Sequence, residues 1–183
     1  SKTLKLLFFS RIELKKGLEV LLEALNKTTI SYQLTIAGTG ESDYINSLQK
    51  IVAKNSMEPF VNWIGFQQNA IKFDVLQAHD LLVLPSYNEN FGNVVIESLA
   101  VGTAVLISNQ VGLADYVTAN NLGWTFENES QILRKKLIKV NNNREELNKI
   151  RLQSPLKIRK HLSDSHLVNQ YISYYQQVIH DSL

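Results

Sequence analysis

The sequence contains no cysteine, one methionine and three prolines among its 183 residues. Without cysteine the chain has no thiolate nucleophile, no thiolate ligand for zinc and no disulfide, which fits a reducing compartment. Long apolar runs are also missing, since residues 4–9 and 81–84 fall far short of the ~20 residues that a membrane-spanning helix needs. These absences exclude cysteine chemistry and a membrane-spanning helix, and predict a cytoplasmic protein.

The length predicts a single folded domain. The chain of 183 residues is little longer than the roughly 150 residues expected of one domain. Hydrophobic residues make up 44% and charged residues 20%, values typical of a globular chain with a full core. The sequence begins Ser1-Lys-Thr-Leu without an initiator methionine, and an apolar strand pattern follows at once. We therefore expect residues 1–183 to be one domain excised from a longer protein.

Positive charge is concentrated in one part of the chain, although the formal net charge is only +2. Residues 134–160, the basic segment, hold ten Lys or Arg against two Glu, so the segment carries +8 and the remainder −6. No nucleic-acid-binding motif accompanies this charge, so no nucleic acid partner is expected. Two interpretations stay open: a solvated helical face, and a peripheral contact with the anionic inner face of the membrane.

Strand and helix patterns alternate along the first two thirds of the chain. Short apolar runs predict six strands at residues 4–9, 33–37, 61–64, 81–84, 103–108 and 123–126. Apolar residues at helical spacing predict intervening helices around residues 18–25, 45–52, 71–78, 94–100 and 113–119. Such β-α units form a parallel sheet through right-handed crossovers. We expect an α/β fold: a Rossmann-like, doubly wound parallel sheet of about six strands, with helices on both faces.

The last third of the chain predicts helices. From Ser130 onward apolar residues recur at helical spacing, and turn residues at 141–143 and at Ser154-Pro155 predict breaks between successive helices. Residues 166–183 carry a broad apolar stripe, which predicts a final C-terminal helix.

The residues that follow each predicted strand carry most of the chemistry. In an open parallel sheet, ligands bind beyond the carboxyl ends of the strands, so these residues share one edge. The edge combines cations, glycines and carboxylates, among them Arg11, Lys16, Gly38, Gly40, Gly65 and Glu89. Glycines let a ligand approach backbone amides closely, and the cations supply positive charge for an anionic group. The pattern therefore predicts a site for an anionic ligand.

Glu89 and Glu97 stand eight residues apart around a helix that should begin near Gly92. A fully helical interval would span about 12 Å at roughly 1.5 Å per residue, so a nucleotide-sized ligand can touch both carboxylates. The N–H groups at the helix start suit a diphosphate or sugar hydroxyls. Taken singly, Glu89 is more typical of a helix cap and Glu97 of a solvated helical residue, so spacing alone leaves both interpretations open.

An ordered set of short motifs runs from about residue 4 to residue 126. It comprises Arg11-x4-Lys16-Gly17, Ala37-Gly-x-Gly40, Trp63-Ile-Gly65, Asp80-x4-Pro85-Ser86, Glu89-x-Phe-Gly-x4-Glu97 and Ala100-x-Gly102. This set resembles the signature of retaining glycosyltransferase family 4, whose members have the two-domain B-type architecture. The resemblance is to the C-terminal domain, which binds the nucleotide-sugar donor. It implies that an N-terminal acceptor domain completes the full-length protein.

The resemblance also implies residue roles. Arg11 and Lys16 would bind the donor diphosphate and balance the charge on the leaving group, and Glu89 would lie beside the transferred sugar. Glu97 would bind the ribose hydroxyls. The remaining implied donor-binding residues are Gly40, Phe66, Phe91, Gly92 and Asn93. Gly40 and Phe66 would line the nucleotide pocket, while the backbone of the other three would face sugar and phosphate.

The implied reaction is transfer of a hexose from a nucleotide-diphosphate sugar to a saccharide or glycolipid, with retention of anomeric configuration by front-face displacement. It implies a place in polysaccharide biosynthesis. No metal or cofactor is expected, because there is no Asp-x-Asp pair and cationic side chains can do the work of magnesium. The fragment alone is expected to be inactive, since the acceptor would bind mostly to the other domain.

This sequence departs from the family pattern at several positions. Ser10 and Asn90 stand where glycine is common, and Ala104 where proline is usual. Leu113 and Ala114 replace a second glycine-proline-like turn, which leaves the choice of sugar open. None of these departures removes a charged group of the implied site.

Two other functions compete with this interpretation. Gly38-Thr39-Gly40 resembles half of a dinucleotide-binding fingerprint, as in an oxidoreductase, but Asp43 occupies the third glycine position and the motif follows the second strand. The other alternative is a nucleotide-sugar-binding module that has lost catalysis. The presence of Arg11, Lys16, Glu89 and Glu97 argues against such a loss.

Overall fold

The protein is described by a computed structural model that covers residues 3–163 and Gln176. Its strands are β1 (Leu4–Phe9), β2 (Tyr32–Ala37), β3 (Val61–Gly65), β4 (Leu81–Leu84), β5 (Ala104–Ser108) and β6 (Gly123–Phe126). They form one parallel sheet in the order β3-β2-β1-β4-β5-β6. The predicted six-stranded, doubly wound parallel sheet is confirmed, and each predicted strand begins within one residue of its position in the structure.

The helices are α1 (Leu18–Asn26), α2 (Ser42–Lys54), α3 (Asn69–Gln77), α4 (Asn93–Ala100), α5 (Ala114–Ala119), α6 (Ser130–Asn142) and α7 (Arg144–His161). Helix α1 packs against α2, and α3 packs against α4. The chain adds strands on one side of β1 through α1 and α2, then on the other side through α3 and α4. Right-handed crossovers therefore place these two helix pairs on opposite faces of the sheet.

The middle of the sheet is buried on both faces. Every residue of β4 and β5 is buried, and only Lys5 is exposed in β1. Continuous apolar strands, rather than an alternation of apolar and polar residues, are what a sheet covered by helices on both sides requires. The edge strands β3 and β6 are mostly half-buried. The core therefore lies around β1, β4 and β5, directly beneath the loops that carry the charged residues.

The strand order reverses between β1 and β4, which are hydrogen-bonded neighbours although 71 residues lie between the end of β1 and the start of β4. At such a reversal the connections leave toward opposite faces, and a crevice opens beyond the carboxyl ends of the two strands. The loops after β1 and after β4 are the ones that carry Lys16 and Glu89. The topology alone therefore brings these two side chains to the same crevice.

Helix α7 continues through Pro155, so the predicted break at Ser154-Pro155 is wrong, whereas the break at Asn143 is confirmed. A proline inside a helix removes one backbone hydrogen bond and costs roughly 3 kcal/mol. Packing offsets this cost, because α7 buries Ile150, Ser154 and Ile158 on the side that contacts α4 and β5. Tertiary contacts, rather than the local preference of proline, decide the conformation here.

Part of the basic segment has a structural role. Arg144 and Arg151 of α7 lie 3.9 Å and 3.8 Å from the Asp80 carboxylate, which also accepts a hydrogen bond from the Lys5 backbone N–H. Arg151 additionally donates to the His79 carbonyl at 2.8 Å. These contacts fasten α7 to the amino-terminal edge of β1 and β4. The concentration of positive charge is therefore partly explained by packing within the chain.

The predicted C-terminal helix at residues 166–183 falls outside the described residues, apart from Gln176. Within the described part of the chain, no helix has both the length and the apolar character that crossing a membrane requires.

Candidate functional site

A cleft of about 450 Å³ opens at the carboxyl edge of the sheet, where β1, β2 and β3 end and α4 begins. It is lined by Phe9, Ser10, Arg11, Gly38, Thr39, Phe66, Gln67, Lys72, Glu89, Gly92, Asn93, Val94 and Glu97. The lining mixes two aromatic rings with four ionisable side chains and the first residues of a helix. A cleft of this size and composition suits a small polar ligand with a planar group.

The loops after β1 and β2, which border the cleft, are held together by close backbone packing. Ile12 forms an isolated parallel bridge with Gly40, and its N–H donates to the Thr39 carbonyl at 2.8 Å. A Cβ on Gly40 would lie only 1.8 Å from the Ile12 carbonyl oxygen. Glycine is therefore required at this position by the approach of the neighbouring loop.

Lys16 ends a short 3₁₀ turn, Leu14–Lys16, that carries the chain from β1 into α1. The next residue, Gly17, has a left-handed backbone with φ of 66°, and a Cβ there would lie 2.0 Å from the Pro85 carbonyl oxygen. The Tyr87 N–H donates to the Lys15 carbonyl at 2.8 Å, so the turn is clamped against the loop after β4. As a result the Lys16 side chain is directed inward and is only 9% exposed.

Glu89 is the ion-pair partner of Lys16. Lys16 Nζ donates to Glu89 Oε2, and both side chains are largely shielded from solvent. The Glu89 backbone is fixed by the loop after β5, because its N–H donates to the Gln110 carbonyl at 3.2 Å and its carbonyl accepts from the Gly112 N–H at 2.8 Å. Glu89 is thus held by a buried cation and by a neighbouring loop.

Helix α4 begins at the cleft with Gly92 as its N-cap, as the sequence predicts, and no side chain makes a capping hydrogen bond there. The interpretation of Glu89 as the helix cap is therefore wrong. Gly92, Asn93 and Val94 line the cleft, so the first turn of α4, whose N–H groups have no partner within the helix, borders it. Phe91 is half exposed beside the cleft without lining it.

Glu97 lies one turn into α4 and pairs with Lys72 of α3. Lys72 Nζ donates to Glu97 Oε1 at 2.5 Å and also lies 5.8 Å from the centroid of the Phe9 ring. Both side chains of the pair are about one quarter exposed. Glu97 is therefore a partner in an ion pair at the cleft, and the interpretation of it as an isolated solvated residue is wrong.

Arg11 is the most accessible charge of the site. Its side chain is 73% exposed, and its guanidinium lies 3.4 Å from Glu13 Oε1. An exposed pair of this kind contributes little to stability, roughly 0–1 kcal/mol. Arg11 is consequently free to turn toward an anionic ligand at low energetic cost.

The structure brings most of the sequence-predicted residues to one place. Arg11, Phe66, Glu89, Gly92, Asn93 and Glu97 line the cleft, and Lys16 reaches it through Glu89. Gly40 lines a neighbouring cleft of about 560 Å³ that shares Arg11 and Thr39 with the first. Of the predicted residues, Phe91 and Lys16 line neither cleft.

Two residues at the site were missed by sequence reasoning. Lys72 lies on α3, and its partner Glu97 is 25 residues away, so no local spacing links them. Asn128 follows β6 and donates through Nδ2 to the Pro85 carbonyl at 2.8 Å, beside Gly17. Asn128 could have been found from the sequence, because it lies just after a predicted strand. Nothing in the local sequence points to Lys72.

Within residues 3–163 no three His, Asp or Glu side chains are grouped as metal ligands would be. The charged side chains at the cleft instead form pairs of opposite charge, Arg11 with Glu13, Lys16 with Glu89 and Lys72 with Glu97.

The chain matches known proteins over most of its length. Residues 1–155 match the family model described as glycosyl transferases group 1. The amylovoran biosynthesis glycosyltransferase AmsK of Erwinia amylovora is 28% identical over 184 residues, which cover 94% of this chain and 43% of that protein. This chain thus spans less than half the length of that relative.

Solved structures share the fold. HepE of Anabaena, solved in complex with UDP, superposes with a TM-score of 0.81 at 22% identity over 96% of this chain and 49% of that one. The C-terminal domain of the group 1 glycosyl transferase LpcC of Francisella tularensis superposes with a TM-score of 0.75 at 21% identity, covering 87% of this chain and 85% of that one. These matches show the fold, and the family model adds the assignment: the chain belongs to the glycosyl transferases group 1.

Proposed function

We propose that residues 1–183 form the donor-binding, C-terminal domain of a two-domain retaining glycosyltransferase of family 4. The enzyme transfers a hexose from a nucleotide-diphosphate sugar to a saccharide or glycolipid acceptor, which the N-terminal domain of the full-length protein holds. The observation that carries this proposal is the convergence of Arg11, Lys16, Glu89 and Glu97 on one cleft at the carboxyl edge of the sheet.

The charges along the cleft suit a donor that lies across it. Arg11 and Lys16 approach from the loop after β1, and the N–H groups at the start of α4 add the positive end of the helix dipole. Together they form a receptor for the diphosphate. Glu97 lies farther along α4, beside the aromatic rings of Phe9 and Phe66, and fits ribose hydroxyls below a stacked base.

Lys16 gains a second partner when the diphosphate binds. Without a ligand its ammonium donates to Glu89, and because an ammonium has three N–H donors it can keep Glu89 and also donate to a phosphate oxygen. Negative charge grows on the diphosphate as the bond to the sugar breaks. Lys16 and Arg11 stabilise that charge, which is the kind of interaction that is stronger in the transition state than in the ground state.

Glu89 acts on the sugar as a positioning group. Its Oε2 is bound to Lys16, which leaves Oε1 for a hydroxyl of the transferred sugar. In front-face displacement the acceptor hydroxyl oxygen bonds to the anomeric carbon from the same face as the departing diphosphate, so the anomeric configuration is retained, and a diphosphate oxygen takes the hydroxyl proton as its bond to the sugar breaks. No protein nucleophile is then needed, and Glu89 has no part in covalent catalysis.

The identity of the base is a separate question. HepE was solved with UDP, and a further structure of it contains UDP-glucose, so uridine donors are the first to test. A calorimetric screen of UDP, GDP and ADP against this chain tests the proposal directly. Binding of one of them without added divalent metal supports it, and no binding of any by the chain would overturn it.

We also propose that the full-length enzyme contacts the membrane peripherally through α7. Leu152 and Leu156 are 78% and 68% exposed, and at helical spacing they share one face with Lys149, Arg159 and Lys160, all exposed. Exposed leucines flanked by cations are typical of helices that lie on anionic lipid. The glycolipid acceptor would be met at such a surface.

A further inference from the structure

Lys72 occupies a position in the cleft that the reaction does not by itself explain. It lies on α3, the helix after β3, and its ammonium reaches across to Glu97 of α4 while lying 5.8 Å from the Phe9 ring centroid. Phe9 ends β1 and is immediately followed by the loop that carries Arg11. Lys72 therefore contacts both Phe9 at the end of β1 and Glu97, the carboxylate assigned to the nucleoside in the proposed function.

The Glu97 carboxylate depends on Lys72 for its orientation. Lys72 Nζ lies 2.5 Å from both carboxylate oxygens, and the buried Oε2 has no other polar partner among the described residues. A carboxylate with a single polar partner can take several rotamers once that partner is removed. Before a ligand binds, the orientation of the Glu97 carboxylate therefore depends on the Lys72 ammonium alone among the described residues.

Lys72 also balances the charge of the cleft. Among the described lining residues, the ionisable side chains are Arg11 and Lys72, which are positive, and Glu89 and Glu97, which are negative. Their charges cancel. Lys16 adds a further positive charge beside the cleft, but it is already paired with Glu89. Without Lys72, Glu97 would therefore have no cation of its own, and a nucleoside diphosphate would meet an unpaired carboxylate at its nucleoside end.

We propose that Lys72 is a positioning residue for donor binding, which holds Glu97 in the orientation that accepts the ribose hydroxyls. This proposal rests on the proposed function, in which the cleft binds a nucleotide. Lys72 acts through Glu97 on the nucleoside half of the donor, so its removal weakens the nucleoside and the nucleoside diphosphate by the same factor.

The test is a double-mutant cycle read by ligand titration with UDP, GDP and ADP and their parent nucleosides. We expect Lys72→Gln to weaken both ligand forms about five- to tenfold. We expect Lys72→Arg to restore affinity, because arginine keeps the charge and can still reach a carboxylate. In a Glu97→Gln background, Lys72→Gln should add less than about twofold, since its target is already gone.

Lys50→Gln is the matched control, because Lys50 is an exposed helical lysine on α2, away from the cleft. Thermal melts of every variant separate a loss of binding from a loss of folding. The assignment is overturned if Lys72→Gln leaves nucleoside affinity unchanged, if it weakens the diphosphate alone, or if its effect in the Glu97→Gln background is undiminished.

Failure of the proposed function has a different signature. In that case the unsubstituted chain binds none of the three nucleoside diphosphates, and Arg11→Ala changes nothing. If the unsubstituted chain binds and Arg11→Ala weakens the diphosphate while Lys72→Gln has no effect, only the role of Lys72 is overturned.

Discussion

Lys16 Nζ donates a hydrogen bond to Glu89 Oε2 across 73 residues of sequence, and this ion pair joins the loop after β1 to the loop after β4. The two loops meet because β1 and β4 are neighbours where the strand order reverses. In the proposed mechanism these side chains serve different parts of one donor. The pair therefore links the diphosphate-binding side of the cleft to the sugar-binding side before any ligand is present.

Replacing Lys16 should affect the diphosphate alone. We expect Lys16→Ala to weaken nucleoside diphosphate binding about 10- to 100-fold, the loss that follows removal of a charge-assisted hydrogen bond worth roughly 1.5–3 kcal/mol. Affinity for the parent nucleoside should stay the same, since Lys16 lies at the phosphate end. Calorimetry with both ligands measures the difference.

Glu89→Gln is the companion variant, and it should change diphosphate binding less than about twofold, because Glu89 is assigned to the transferred sugar, which a free nucleoside diphosphate lacks. Its main effect should be on turnover by the full-length enzyme. A loss of diphosphate affinity in Glu89→Gln equal to that in Lys16→Ala would contradict the division of roles between the two residues.

Glu97→Gln should weaken the nucleoside and the nucleoside diphosphate alike, because it removes an acceptor for the ribose hydroxyls that both ligands carry. We expect a loss of roughly tenfold, within the range for a hydrogen bond to a charged group. Titration of both ligands on one protein sample gives the ratio of the two losses. A loss confined to the diphosphate would place Glu97 at the phosphate end and refute the assignment.

Gly17→Ala should destabilise the fold and weaken diphosphate binding together. A left-handed backbone costs a residue with a Cβ about 1 kcal/mol, and here the new Cβ would also lie 2.0 Å from the Pro85 carbonyl oxygen. We expect a total loss of roughly 2 kcal/mol or more in the free energy of unfolding. Urea denaturation measures it.

Gly65→Ala is a matched control for that experiment. Gly65 has nearly the same φ, 68° against 66° for Gly17, but a Cβ there meets no atom within 4 Å. Gly65→Ala should therefore lower the free energy of unfolding only by the cost of a left-handed backbone, about 1 kcal/mol. Equal losses in the two variants would show that the contact with Pro85 is not what requires glycine at position 17.

Acid should destabilise the fold through His79. Burial lowers the pKa of this imidazole below its ordinary value of 6.5, with Lys5 acting in the same direction and with Val75 and Asp80 opposing it. Its ring contacts the Val75 carbonyl at 2.6 Å through Nδ1 and the Thr35 hydroxyl at 2.8 Å through Nε2. The neutral ring is thus favoured in the folded state.

Because the folded pKa of His79 is the lower one, its contribution to stability is complete above pH 6.5 and is lost as the pH falls through 6.5 toward the folded pKa. Urea unfolding at a series of pH values should show this loss, and His79→Gln should flatten it. An NMR titration of His79 with a pKa at or above 6.5 would remove the basis of this prediction.

Vesicle sedimentation checks the proposed membrane contact. Each Lys or Arg near an anionic surface adds about 1 kcal/mol, so the face of α7 with Lys149, Arg159 and Lys160 should give salt-sensitive binding to anionic vesicles and none to neutral ones. Leu156→Ser should weaken this binding by removing an exposed apolar side chain, with Lys50→Gln as the control. Equal sedimentation with anionic and neutral vesicles at low salt would end the membrane hypothesis.

The strands of the sheet were predicted well because each one is encoded by a short stretch of neighbouring residues. Apolar runs bounded by glycine or polar residues marked β4 and β6 at the bounds that the structure shows, since buried parallel strands need little else. The failures have another origin. Pro155 was expected to end a helix because packing against α4 and β5 is not visible in the local sequence, and Lys72 was missed because its partner lies on a different helix.

The two isolated bridges at the cleft, Ile12 with Gly40 and Glu89 with Val111, continue the parallel pairing beyond the ends of the strands. They make the loops that carry the charges an extension of the sheet, so these loops have little conformational freedom to lose. Ordering of loops is a large entropic cost in many binding sites, and here most of it is met during folding. Donor binding should therefore leave backbone hydrogen exchange in these loops nearly unchanged.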